Sequence, residues 1–262
     1  MRMNYPTIKA RVLSALILVS VMFISAVRPE TKPVVAYAED KNTITRSISP
    51  LLSLYDSLDL GTRNLSRDAF TKALMGFEDL RAAGSLQNPN ILSIVDFSLA
   101  SDKKRLFIID VKKGKLLFHT YVAHGRNSGQ ESAMSFSNKL DSYKSSLGFF
   151  VTGNTYKGEH GYSLRLNGVE NGINDNAFNR NIVVHGASYV SEQMIRLKGF
   201  IGRSLGCPAI PTKLHKPIIQ TIKDGSCLFL YSPDQSYISK SSMLAAEADT
   251  AITAFPIVNA AG

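Results

Sequence analysis

Residues 182–187 read IVVHGA and residues 202–209 read GRSLGCPA, and these two stretches are the most informative in the chain. A β-branched run that ends in His185-Gly186 is typical of a strand that delivers an imidazole to the edge of a sheet. The second stretch places Cys207 directly after glycines, where bare backbone N–H groups can face a carbonyl. A free thiol with a pKa of about 8.5 is mostly protonated at neutral pH, so a nucleophilic cysteine needs a base. His185 can supply that base if the two segments meet in space.

Four further segments carry a resemblance to a known family. They read VAHGRNSG at 122–129, SLGFFVTG at 146–153, GYSLRL at 161–166 and NRNIVVHG at 179–186. Together with the Cys207 motif, and in the same order along the chain, they resemble the catalytic signature of the L,D-transpeptidase catalytic-domain family, in its divergent murein branch. The resemblance covers about residues 66–231. It implies a β-rich fold and an enzyme that remodels bacterial peptidoglycan.

The cysteine motif departs from the family's commonest form at three positions. That form reads Ser-His-Gly-Cys, then an apolar residue, then Arg or Asn. This chain has Leu205 in place of the histidine, Pro208 in place of the apolar residue and Ala209 in place of Arg or Asn. A second histidine and a downstream polar side chain are therefore missing. The departure bears on how substrate is gripped more than on how the thiol attacks.

The resemblance implies a role for each residue of the pair and its loop. Cys207 would form a thioester with a peptide carbonyl, and His185 would act as general base, oriented by the backbone carbonyl of Gly186. Backbone N–H groups would form the oxyanion site, and the candidates are those of Leu205, Gly206 and Cys207. Pro208 has no N–H and cannot join them.

Free carboxylates on the peptidoglycan stem favour arginine in the substrate site, because a guanidinium can bind a carboxylate bidentately. The candidates near the matched motifs are Arg165, Arg180 and Arg203, together with the hydroxyl of Ser204. Arg203 would also favour the thiolate by charge if it approaches the sulfur. For Arg165 and Arg180 a solvated surface role remains open.

Composition indicates a globular, exported protein. The chain of 262 residues allows one sizeable domain with appendages, and 44% hydrophobic with 19% charged residues excludes wholesale disorder. Of the net charge of +9, +4 lies in residues 1–38, which hold five Lys or Arg and one Glu. No basic run with interleaved aromatics occurs in the sequence, so nucleic acid is not an expected partner.

Residues 1–38 resemble an export signal. Basic residues precede the apolar stretch 12–27, and Ala36-Tyr37-Ala38 offers a small-x-small cleavage site. The apolar stretch is shorter than the ~20 residues of a membrane span, although an uncleaved anchor remains an alternative. We expect a protein of the periplasm or cell envelope, a monomer without a stable membrane span once the signal is cleaved.

The rest of the chain divides by pattern into three parts. Residues 39–90 predict a helical lead-in, with Ser66 as N-cap of a helix whose apolar stripe packs as core. Residues 91–232 show short strands with turns, which predicts a mostly β member of the α+β class, an L,D-transpeptidase-like sandwich or barrel. Residues 233–262 have little patterning and predict a mobile tail.

Only two cysteines occur, Cys207 and Cys227, so a disulfide between them is an alternative to a free nucleophile. Cys227 lies in an apolar, strand-like run where a buried thiol is ordinary packing. Metal-binding motifs such as His-Glu-x-x-His or Cys-x-x-Cys are absent from the sequence, and we expect no cofactor.

Three functions fit these observations. The first is an L,D-transpeptidase that uses Cys207 and His185. The second uses the same site with water as acceptor, as an L,D-carboxypeptidase or an amidase that releases a wall-linked protein. The third is a non-catalytic wall-binding module whose cysteines are joined.

Overall fold

In the part of the chain that the structure describes, eight strands form one sheet, and helices lie around it. The structure, a computed structural model, describes Ile48 and residues 50–244. The strands are β1 Ile91–Asp96, β2 Leu106–Asp110, β3 Lys115–Thr120, β4 Gly148–Gly158, β5 Gly161–Gly168, β6 Val183–Ala187, β7 Ala209–Pro211 and β8 Cys227–Tyr231. The helices are α1 Leu54–Ser57, α2 Arg67–Ala82, α3 Glu192–Lys198, α4 His215–Ile222 and α5 Gln235–Lys240.

The sheet curves into a nearly closed barrel. Its strand order is β3-β2-β1-β8-β4-β5-β6-β7. The chain beyond β3 then meets the far edge, because Ala123 bridges Ala209 of β7 and Gly125 bridges Ser204. Closure removes most of the free sheet edge. The expected mostly β, barrel-like fold with a short N-terminal helical segment is confirmed.

The lead-in helix α2 belongs to the core of this fold. Ser66 caps it by accepting a hydrogen bond from the amide of Ala69, as predicted. Phe70 and Phe77 on its apolar stripe are completely buried. Gly76 lies against Phe149 of β4 so closely that a Cβ there would come within 2.3 Å of the ring. The prediction that the stripe packs as core is confirmed.

Strand register brings the segment just before β7, which holds Cys207, alongside β6, which holds His185. In the antiparallel pair β5–β6, His185 faces Ser163. In the parallel pair β6–β7, His185 faces Ala209. Continuing that register back by two residues sets Cys207 beside Val183. The printed contact agrees with this placement, because the amide of Val183 lies 3.5 Å from Sγ of Cys207, two residues before His185 in β6.

The C-terminal part of the described chain packs on the barrel. Tyr237 of α5 is buried, and its hydroxyl donates to Glu170 at 3.3 Å. The hydroxyl of Ser241 also donates to Glu170. Residues 245–262 of the predicted tail and all of residues 1–38 lie outside the described residues. Within the described part, no helix has the length and apolarity needed to cross a membrane.

Candidate active site

The thiol of Cys207 is held against the start of β6 by two backbone groups. The amide of Val183 donates to Sγ at 3.5 Å. The sulfur in turn donates to the carbonyl oxygen of Asn181, also at 3.5 Å. Burial raises the pKa of Cys207, while the Val183 amide and the charge of Arg180 act in the opposite direction. The resting sulfur is therefore a protonated thiol.

The imidazole of His185 is neutral and has one free ring nitrogen. Burial lowers its pKa to about 4, with His160 and His215 adding to the effect. Nδ1 lies 3.2 Å from the carbonyl oxygen of Gly186 and donates to it in the neutral form, which leaves Nε2 unprotonated. Nε2 has no hydrogen-bond partner among residues 50–244. The exposed ring of His160, in the β4–β5 hairpin, stacks on His185 with centroids 4.3 Å apart.

Thiol and imidazole do not touch in this resting state. The two hydrogen bonds of Sγ go to the backbone of β6 and the residues before it, not to His185. Burial raises the pKa of Cys207 and lowers the pKa of His185. Both shifts favour a neutral thiol and a neutral imidazole over an ion pair. The two side chains are therefore a neutral thiol and a neutral imidazole, not a preformed thiolate–imidazolium pair.

Residues 203–207, here called the Cys207 loop, are bonded internally by Ser204. Its hydroxyl donates to the carbonyl oxygen of Cys207 at 2.6 Å and accepts from the amide of Gly206 at 3.1 Å. Of the three candidate oxyanion donors, the Gly206 amide is therefore occupied. The amides of Leu205 and Cys207 have no acceptor within the described residues.

The hydroxyl of Ser145 also holds the Cys207 loop in place. Ser145 accepts from the amide of Gly125 at 3.0 Å and donates to the carbonyl oxygen of Gly206 at 3.1 Å. Gly125 has no room for a side chain, because a Cβ would come within 2.5 Å of the Tyr143 carbonyl oxygen. The His124-Gly125 pair thus supports the Cys207 loop through backbone contacts.

The three candidate arginines have different surroundings. Arg203 donates through Nη1 to the carbonyl oxygens of Arg126 and Gly129, at 3.2 and 3.1 Å. Arg180 is engaged by four neutral acceptors, the carbonyl oxygens of Ser137 and Lys144 and the hydroxyls of Ser142 and Ser146. In both cases protein atoms already take up N–H groups that a substrate carboxylate would use.

Arg165 is the candidate arginine whose guanidinium contacts aromatic rings and not hydrogen-bond acceptors. Its guanidinium lies 4.5 Å from the ring centroid of Tyr156 and 5.1 Å from that of Phe178. Among the described residues it forms neither an ion pair nor a hydrogen bond. It lines an open groove of about 660 Å³ together with Asn154 and Asn167. The aromatic rings hold the guanidinium face, and its N–H edge stays available.

Sequence reasoning missed two features of the site. Tyr189 packs its ring on Gly202, and burial together with the Cys207 charge raises the pKa of Tyr189 to about 12, so its hydroxyl stays protonated. Arg105 is fully buried and donates to Nδ1 of His124 at 2.8 Å. No local pattern indicates either contact, because each depends on how distant segments pack.

The two cysteines are free thiols. Cys227 is completely buried in β8, and burial raises the pKa of its thiol above the ordinary value. The disulfide that the sequence left open is therefore not formed. Within residues 50–244 no group of three His, Cys, Asp or Glu side chains is arranged to hold a metal ion.

Comparison with known proteins identifies the family. The chain matches the family model described as L,D-transpeptidase catalytic domain over residues 62–231. The match covers more than half of the chain, and the chain belongs to that family. No protein of curated function matches the chain.

The comparison with solved structures found the following similarities. An L,D-transpeptidase from Mycobacterium smegmatis is 10% identical with a TM-score of 0.35, covering 55% of this chain and 59% of that one. One from Xylanimonas cellulosilytica is 14% identical with a TM-score of 0.30, covering 54% and 60%. The helical cell shape determining protein from Campylobacter jejuni is 13% identical with a TM-score of 0.33, covering 53% and 46%. The chain spans less than two thirds of each of these structures.

Proposed function

We propose that this protein is a cysteine acyltransferase that acts on the stem peptides of peptidoglycan, as an L,D-transpeptidase. The observation that carries the proposal is that Cys207 Sγ contacts the backbone at the start of β6, the strand that also holds His185. The thiol is held at β6 by Val183 and Asn181, and the imidazole two residues further along has an unprotonated Nε2. Membership of the L,D-transpeptidase family supports the assignment.

Acylation would begin when Sγ–H leaves the Asn181 carbonyl and turns toward His185. Nε2 of His185 takes the proton as the sulfur attacks the carbonyl carbon before the terminal D-residue of a tetrapeptide stem. The proton then passes to the departing amine, and a thioester on Cys207 remains. Because thiol and imidazole are both neutral at rest, proton transfer accompanies attack instead of preceding it.

The oxyanion of each tetrahedral intermediate would lie at the free amides of the Cys207 loop. Leu205 and Cys207 supply these N–H groups, whereas Gly206 is used by Ser204. The loop's internal bonds set the direction of the two donors before substrate arrives. One such donor is worth on the order of 10²–10³ in rate.

Arg165 would bind a free carboxylate of the stem. It lies in register with Val183, whose amide contacts the Cys207 sulfur, and its guanidinium makes no hydrogen bond or ion pair with any described residue. Arg180, Arg203 and Ser204 would act on the site through the loops that they hold together. An amine of a neighbouring stem would then attack the thioester carbon. The C–S bond breaks as the cross-link forms, and the proton of the amine passes through His185 to the departing sulfur of Cys207.

The location of the protein is part of the proposal. Residues 1–38 would direct export, and the mature chain would act as a monomer in the periplasm or cell envelope, where its substrate lies. Secretion of a reporter fused to residues 1–38, lost when the apolar stretch 12–27 carries two charges, would test this step.

Incubation of the purified protein with tetrapeptide muropeptides tests the activity. We expect cross-linked dimers by mass spectrometry, released D-residue, and an acyl adduct on Cys207. A Cys207→Ala variant should form none of them, whereas Cys227→Ala, which removes the buried thiol, should retain activity. Tripeptides without dimers would instead identify a hydrolase, and turnover by Cys207→Ala would refute the nucleophile. A wall-binding module would bind muropeptides without changing their mass.

A further inference from the structure

Arg180 is a cation without an acidic partner. Its four hydrogen bonds all go to neutral oxygens, namely two backbone carbonyls and two serine hydroxyls. Within the described part of the chain no carboxylate lies in ion-pair contact with it. The side chain is half-buried, and burial lowers its pKa. Partial burial of this positive charge costs solvation free energy, and a negative charge that forms nearby would offset that cost.

The guanidinium lies directly behind the Cys207 loop. A Cβ placed on Gly206 would be 3.4 Å from Nη2 of Arg180 and 2.9 Å from the carbonyl oxygen of Lys144, which Nη2 binds. Gly206 has a φ of +126°, a conformation that favours glycine. The absence of a side chain therefore lets Arg180 approach the backbone beside Cys207.

The same turn also holds the sulfur. Arg180 precedes Asn181, which has a left-handed φ of +53°. The carbonyl oxygen of Asn181 accepts the hydrogen bond from the Cys207 thiol. Asparagine tolerates this conformation better than most residues. The turn at 180–181 thus presents a hydrogen-bond acceptor to the thiol and a positive charge to the sulfur once its proton has left.

We propose that Arg180 is a positioning residue whose fixed charge stabilises the ionised sulfur of Cys207, the part that the sequence assigned to Arg203. The proposal rests on the proposed function, because it takes Cys207 as the nucleophile. The bonds to Ser137, Ser142, Lys144 and Ser146 hold the guanidinium in place during the reaction.

The other ionisable groups around the sulfur do not supply this charge. His185 is neutral at rest, with a pKa of about 4, and Tyr189 stays protonated, with a pKa of about 12. Lys144 directs its Nζ to the hydroxyl of Ser135. Asp141 shares a small cavity of about 230 Å³ with Arg180 but forms no ion pair with it. Among charged side chains, Arg180 is the one that lowers the pKa of Cys207.

The pH dependence of thiol alkylation tests the proposal without any substrate. Iodoacetamide is added to the full-length protein from pH 6 to 10, and labelling of Cys207 is followed by peptide mass spectrometry. An opposite charge within ~4–6 Å lowers a pKa by about 1–3 units. We therefore expect Arg180→Gln to raise the labelling midpoint by at least one unit, a loss of about tenfold in rate below the midpoint.

Three variants separate the effect of charge from the effect of loop structure. Arg180→Lys keeps the charge and loses the fork of hydrogen bonds, so its midpoint should stay closer to wild type than that of Arg180→Gln. Ser142→Ala removes one acceptor of Arg180 and should leave the midpoint unchanged. Arg203→Gln removes the charge first expected at the sulfur and should also leave it unchanged.

Several results would overturn the inference. An unchanged midpoint in Arg180→Gln would do so, as would equal shifts in the Gln and Lys variants. If Arg180→Gln does not fold, a midpoint in Arg180→Lys one unit or more above wild type refutes the role of charge. Muropeptide turnover is measured separately, so a protein that shows the midpoint shifts but no turnover would contradict the proposed function and not the role of Arg180.

Discussion

Two His-Gly pairs with similar sequences occupy different positions in the molecule. His124-Gly125 follows Val122-Ala123, and His185-Gly186 follows Val183-Val184. Both imidazoles are buried, and burial lowers the pKa of each to about 4. Burial and protonation state therefore do not distinguish them.

The ring nitrogens separate the two histidines. Nδ1 of His124 accepts from Arg105 at 2.8 Å, and Nε2 donates to the Gly129 carbonyl at 3.3 Å. Both nitrogens are used, so this ring can only hold segments together. His185 uses Nδ1 alone, and its Nε2 has no hydrogen-bond partner in the part of the chain that the structure describes. A buried histidine becomes a candidate base when one nitrogen is fixed and the other is bare.

Replacing each histidine by leucine should give the largest difference between the two positions. His185→Leu removes the base, and we expect acyl-enzyme formation on Cys207 to fall by about 10²–10⁴-fold, because general-base catalysis contributes that much. Its thermal unfolding should stay near wild type, since one hydrogen bond is lost. Intact-mass measurement of the acyl adduct over time gives the rate. Wild-type acylation in a folded His185→Leu protein would refute the assignment.

His124→Leu should show its main effect on stability. It leaves a donor of the buried Arg105 guanidinium without its acceptor, which costs about 1–3 kcal/mol of unfolding free energy. Burial lowers the pKa of Arg105 to about 9, so the group is still charged at neutral pH. Urea unfolding gives the free energy, and acylation is compared well below the unfolding midpoint. A stability equal to wild type would mean that the Arg105–His124 bond contributes nothing.

The local part of this arrangement could be predicted from sequence, and the long-range part could not. The strand ending in His185, the cap at Ser66 and the glycines before Cys207 are patterns within a few residues. The bond between Arg105 and His124 joins residues on separate segments, and nothing in either segment indicates the partner. The mostly β fold itself followed from strand spacing together with the family resemblance.

The arginines show the same limit. Arg165, Arg180 and Arg203 are equivalent in sequence, because each is a basic residue near a matched motif. They differ only in what surrounds the guanidinium: two aromatic rings, four neutral oxygens, or two carbonyls. Likewise, nothing in the motif indicates that Ser204 takes the amide of Gly206. Such distinctions require tertiary packing.

The two glycines should respond differently to alanine. A Cβ at Gly125 would meet backbone, 2.5 Å from the Tyr143 carbonyl oxygen, whereas a Cβ at Gly186 would meet the ring of His215 at 2.7 Å. We expect Gly125→Ala and Gly186→Ala each to cost about 1–3 kcal/mol in unfolding free energy. Adding His215→Ala should restore stability only to Gly186→Ala. Restoration of neither would show that the Gly186 contact also involves backbone movement.

A further difference is expected in the pH dependence of stability. Both histidines have a folded pKa of about 4 against 6.5 in the unfolded chain. Between these values the unfolded state binds protons that the folded state does not, so stability falls as pH falls, by about 1.4 kcal/mol per pH unit for each histidine. Above pH 6.5 neither contributes to the slope.

The free energy of unfolding of a histidine variant should depend on pH differently from that of wild type. Asp96 and Glu170, whose pKa values burial raises, add a slope of the opposite sign in every variant. Comparison with wild type cancels that shared term. The stability gap between wild type and His124→Leu should therefore narrow from pH 6.5 to pH 4, because only wild type still loses the His124 contribution. Urea unfolding at half-unit pH steps measures it, and a gap that stays constant would show that His124 remains protonated in the fold.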